Sequence, residues 1–184
     1  MAREIPYEHP LRRLFRSVVL RRAGGELGLA DSALLGYLAD LLTRFVHIDE
    51  LYRIRDAVGQ PLDDVGEMLL ESDPRSRASS FVREREVCRH IGDFTLFFLG
   101  LFPEWVRAHA TTRLPDVYVD WSRTGRASYR IVSSFTVPPF ANEAPLYRGL
   151  AEQFELCVLA LNRVGQDLRR LSDPRARAAF DLFQ

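Results

Sequence analysis

Apolar positions along this chain recur at steps of three and four, and no run alternates as a half-buried strand would. Leu11, Leu14, Phe15, Val18 and Val19 predict a first helix with Arg12, Arg13, Arg16, Arg21 and Arg22 in the gaps, after an extended segment over 1–10. Ala23-Gly24-Gly25 is expected to stop it, since glycine makes helix continuation costly. A second helix, capped by Asp31 or Ser32, carries Leu34, Leu38, Leu41, Leu42, Phe45, Ile48 and Tyr52 toward Gly59. Pro61 opens a shorter one through Leu62, Val65, Met68 and Leu69, and Ser72-Asp73-Pro74 reads as the next start signal.

The central helix, roughly 78–102, is amphipathic in its first half and apolar all round from Phe94 to Phe102, the pattern of a helix buried on most sides. Residues 116–135 read as another helix, Val137-Pro138-Pro139 breaks the chain, and a long helix is expected from about 145 to 171. A last short helix starts at Asp173-Pro174; the Ser-Asp-Pro-Arg start at 72 recurs at 172, the same cap chemistry used twice. The expectation is a single all-α domain, 1–184, folded as an irregular helical bundle of five long and two or three short helices.

Composition narrows the function. With 184 residues, 47% of them hydrophobic, the chain is long enough for a core without disulfide or metal staples. All 25 basic residues are arginine, so Schiff-base chemistry, a pyridoxal phosphate anchor and a Walker-A loop are excluded. The 25 acidic residues bring the net charge to zero, which argues against nucleic acid as a partner. The start of the chain lacks the apolar core of a secretion signal, and the most apolar run, Ile91 to Phe102, is too short for a transmembrane segment. The expected address is the cytoplasm.

Glu86, His90 and Asp93 lie four and three apart, on one helix face, and His47 and Glu50 repeat the second spacing on the preceding long helix. Two helices each presenting His-x-x-acid could converge on zinc, iron or manganese. The same spacing is equally that of intrahelical pairing, Glu86 with Arg89 or His90 and His90 with Asp93. Cys88 and Cys157 fall on or beside apolar stripes, where a thiol packs as a small core residue. Gly125-Arg126-Ala127-Ser128-Tyr129 lacks the second glycine of a nucleophile elbow. Nothing here implies a cofactor. Gly92 and Gly100, about two turns apart, would let another helix approach closely.

The stretch from Arg89-His90-Ile91-Gly92-Asp93-Phe94 to Gly100-Leu101-Phe102-Pro103-Glu104, with Gly125 to Tyr129, resembles a bacterial family of helical proteins without an assigned activity. The resemblance implies a cytosolic helical domain and no catalytic residue. The leading expectation is a non-enzymatic interaction or assembly module, a homodimer or a partner of another protein, because 12 Phe, 6 Tyr and 2 Trp exceed what one small core readily hides. Its first candidate interface is the N-terminal helix at Leu14 and Val18. The rival is a metal-binding protein or metal-dependent enzyme using His47, Glu50, Glu86, His90 and Asp93. A third reading is a small-molecule pocket lined by Phe97, Phe98, Trp121 and Tyr129.

Overall fold

In a computed structural model, residues 5–6, 8–73, 80–110 and 117–170 are described, with the side chains of 109–110 and 117–120 left aside. Nine α-helices and no strand occur among them. They are α1 (Pro10–Val19), α2 (Ser32–Phe45), α3 (Ile48–Leu51), α4 (Val65–Ser72), α5 (Phe81–Leu101), α6 (Pro103–Ala110), α7 (Val117–Ser133), α8 (Ala144–Glu152) and α9 (Phe154–Arg170). The all-α bundle read from the sequence is what forms.

The helix starts follow their cap residues. Asp31 accepts from the amides of Ala33 and Leu34, Asp64 from Glu67 and Ser80 from Arg83, so each takes up first-turn N–H groups that have no intrahelical partner. α5 is the axis of the molecule. Every residue from His90 to Leu101 is buried, because α7, α9, α4, α6 and α2 all pack on it. The glycines of α5 set two of these approaches: Gly92 lies under the ring of Tyr129 on α7 and Gly100 under Leu161 on α9. The buried apolar side chains form one connected core running from Phe15 to Leu168. No helix is long and apolar enough, among the described residues, to cross a membrane.

Several boundaries differ from the sequence reading. Ala23-Gly24-Gly25 does not stop the first helix; α1 widens into a π-helical turn over Leu20–Glu26, and the chain turns only at Gly28, whose φ is +70°. Ala23 is fully buried and Gly24 rests on Leu35, so packing holds the turn that glycine weakens. The second helix ends at Phe45. Beyond the short α3, the Asp56 carboxylate accepts from the amides of Val58 and Gln60, Gly59 takes a φ of +86°, and Arg55 pairs with Pro61, so Pro61 sits in a turned loop and not at a helix start. Pro103, just past α5, opens α6, a helix the pattern did not give.

The expected long helix over 145–171 is two, α8 and α9, parted at Gln153. A one-residue break leaves the apolar stripe nearly in phase, so periodicity does not register it. Ser72 and Asp73 close α4, while Pro74 and the final helix expected at Asp173 lie outside the described residues.

Candidate functional site

The one carboxylate in the all-buried half of α5 organises the most polar site of the core. Asp93 is 1% exposed, and a charge so placed must be paired and hydrogen-bonded to persist. Tyr37 and Arg44, seven apart and so on one face of α2, both reach it. The Tyr37 hydroxyl donates to Oδ1 at 2.5 Å and the Arg44 guanidinium to Oδ2 at 3.0 Å. From α7, the Tyr129 hydroxyl donates to Oδ1 at 2.8 Å. Arg89, one turn back on α5, stands 3.9 Å from Oδ2. Tyr147 of α8 packs its ring against Tyr37 and Tyr129, with centroids 5.7 and 5.8 Å away.

Burial alone would raise the Asp93 carboxyl; Arg44, Arg89 and the two hydroxyls outweigh it and hold the group below the usual carboxylate value. Burial pushes the Tyr37 and Tyr129 hydroxyls well up, and the Asp93 charge adds to it, so both remain protonated donors. The result ties α2, α5 and α7 together through one anion.

His90 sits one turn before Asp93 and is itself buried. Burial pushes its imidazole down to about 4 against the opposing pull of Asp93, so the ring is neutral at pH 7. It donates to the Leu51 carbonyl that closes α3, and its Nε2 has no hydrogen-bond partner. Glu50, Glu86, His90 and Asp93, four of the five residues singled out as metal ligands, do line one cleft, together with Arg44, Arg53 and Arg89. His47 is not among the lining residues; it precedes α3 as its cap residue, with its own Nε2 unpartnered.

The arginines decide the character of that cleft. Arg53 pairs with Glu86 at 2.5 Å and approaches Glu50 at 3.9 Å, and Arg83 lies 3.6 Å from Glu86. In place of the Glu86–Arg89 pairing, Glu86 takes Arg53 from beyond α3 and Arg83 from one turn earlier on α5. Among the described residues no three His, Cys, Asp or Glu side chains form a set that could hold a metal ion. The cleft encloses about 10 Å³, the room of a single water, so no substrate reaches the Nε2 of His90 or the Asp93 carboxylate through it.

The four aromatic residues read as a pocket occupy two places. Phe97 meets Phe45 and Phe98, while Phe98 and Trp121 stack with Phe94 and Trp105 in a filled cluster. Tyr129 lies apart, on Gly92 and Asp93. The aromatic surplus is largely inside: of the rings described, Phe81 and Trp105 stand out as exposed. The interface expected at Leu14 and Val18 is corrected too. Val18 is 4% exposed and Leu14 packs on the same core, because α1 turns its apolar face onto α2 and α9. Cys88 and Cys157 are buried free thiols, pushed by burial up to about 11 and about 12.

Tyr37, Arg44 and Tyr147 were not anticipated. One signal could have found the first two: an Asp in the middle of an otherwise apolar, all-round buried helix requires donors from a neighbour. With this geometry in hand, comparison with known proteins adds no relative: no family model, curated protein or solved structure matches the chain.

Proposed function

We propose that this protein is a non-enzymatic interaction module that pairs with a second copy of itself. The carboxylates of the cleft and both thiols are engaged internally, and the cleft is too small to bring a substrate to the unpartnered Nε2 of His90. Asp93 is saturated by its donors, Glu50 and Glu86 face Arg53, and both thiols are held protonated in the core.

The observation that carries the reading is Phe81, 74% exposed in the first turn of α5. Val82 beside it is exposed as well, and Leu69 and Leu70 are exposed near the end of α4, a helix that packs on α5. Large apolar side chains exposed on two helices that pack on each other have the composition of a contact surface. A net charge of zero removes the long-range repulsion between copies, and identical patches meet across a two-fold axis. Light scattering on a Leu70→Asp, Phe81→Asp variant tests the surface: it should lose association while keeping its helical circular dichroism. Association equal to that of the wild type would place the contact elsewhere and overturn the assignment.

A further inference from the structure

His90 is left with one nitrogen unprovided for. Its ring donates to the Leu51 carbonyl at the close of α3, while its Nε2, buried as well, has no hydrogen-bond partner among the described residues. That nitrogen accepts while the ring is neutral and donates once the ring takes up a proton. The cleft that His90 lines encloses about 10 Å³ and carries three carboxylates and three guanidinium groups. Glu86, Arg89 and Asp93 come from α5, Arg44 from α2, Glu50 from α3 and Arg53 from just beyond it.

Each of these carboxylates is already engaged. The Asp93 oxygens take the Tyr37 and Tyr129 hydroxyls and Arg44, Glu86 takes Arg53 and Arg83, and Glu50 faces Arg53. Burial opposes a charge on the His90 ring most, Arg53 and Arg44 add to it, and the pull of Asp93 does not make up the difference. An imidazolium needs water or a new acceptor at Nε2. The room of a single water supplies little of either while the cleft stays closed.

The walls of the cleft are unequal. α2 and α5, of 14 and 21 residues, carry much of the core. α3 has four residues, and a single helical turn has little stability of its own. Leu51 and Ile54 pin this wall in the core, but Ile48 and Val58 stand exposed on it. Its polar ties to α5 are the His90 bond to the Leu51 carbonyl, the Arg53–Glu86 pair and a 3.2 Å bond from Arg83 to the Arg55 carbonyl. The wall that gives way most cheaply is therefore the one His90 holds.

We propose that α3 and the loop after it, as far as Leu62, form an acid-released flap: a proton on His90 opens it from α5 and lets water in to the Asp93 cluster. The amides of Leu51, Tyr52 and Leu62, bonded to the carbonyls of His47, Ile48 and Ile54, report the opening by hydrogen exchange followed by NMR. The ring titrates near 6.5 when hydrated and at about 4 in the closed protein, so the opening equilibrium grows as pH falls between those values. After correction for intrinsic rates, exchange at the three amides should speed up about tenfold from pH 6 to pH 5. It should also be faster than at the core of α9 and indifferent to low urea, as a local opening is. His90→Asn, which keeps a donor for Leu51 and does not titrate, should abolish the acceleration. Exchange in the wild type that matches α9 and follows urea as α9 does would overturn the flap, whatever the variant does. So would an acceleration that persists in folded His90→Asn.

Discussion

The ring of Tyr129 fills the space that a side chain at position 92 would need: its Cε1 lies 2.5 Å from where a Cβ on Gly92 would stand. The ring cannot simply retreat, because its hydroxyl is fixed on Asp93 and its face on Tyr147. Gly92→Ala should therefore destabilise by about 1–2 kcal/mol, an overpacking cost that exceeds the gain of about 1 kcal/mol in helix propensity. Gly36→Ala, with open space above it, should stabilise by up to about 1 kcal/mol. Urea denaturation of the two variants reads the opposite signs.

Asp93→Ala leaves Arg44 without its carboxylate and two buried hydroxyls without an acceptor, and should cost about 3–5 kcal/mol. Tyr129→Phe removes one donor and should cost about 1–2 kcal/mol. Because the folded carboxyl is held below its unfolded value, its contribution is present above pH about 4 and is lost as pH falls through the folded value. An Asp93→Asn variant should lack that part of the acid response in denaturation curves. If Asp93→Ala were neutral, the buried cluster would not be what joins α2 and α7 to α5.

His90 gives a second acid window. Its imidazole titrates near 6.5 when unfolded and at about 4 in the folded protein. Below pH 6.5 the unfolded chain takes up the proton first, so stability falls between pH 6.5 and 4 by about 3 kcal/mol. The opposing and reinforcing charges are Asp93 on α5, Arg44 on α2 and Arg53 after α3. His90→Leu should flatten this window in urea midpoints measured across it. A midpoint in His90→Leu that falls as steeply as in the wild type would assign the acid sensitivity to other groups.

The two thiols should be inert in the native state. With Cys88 and Cys157 pushed up to about 11 and about 12 and both buried, a disulfide reagent at pH 8 should modify neither on the timescale of minutes. Both should react at once in guanidinium chloride. Rapid titration of one thiol in the folded protein would show a path into the core at that residue.

The bundle was legible because helical periodicity and cap residues act locally: Asp31 caps α2 and the apolar run of α5 lies at its centre, as the pattern implied. What escaped was non-local or too small to disturb the period. The Asp56 turn interrupts a stripe whose sequence period runs on to Gly59, and the break at Gln153 preserves the phase. At the site, spacing on α5 brought Glu86, His90 and Asp93 to notice, and four of the five suspected ligands do share a cleft. Their partners could not be read, since Tyr37 and Arg44 come from 56 and 49 positions away in the chain. Leu14 and Val18 were misjudged because a narrow apolar face looks the same whether it meets its own core or another molecule.

Self-association is the central claim, and sedimentation equilibrium of the wild-type protein over a micromolar concentration series tests it most directly. The expected result is a mass that rises with concentration to twice the chain's 21.1 kDa and no further, as a closed two-fold pair requires. A mass that stays at 21.1 kDa throughout the series would contradict it.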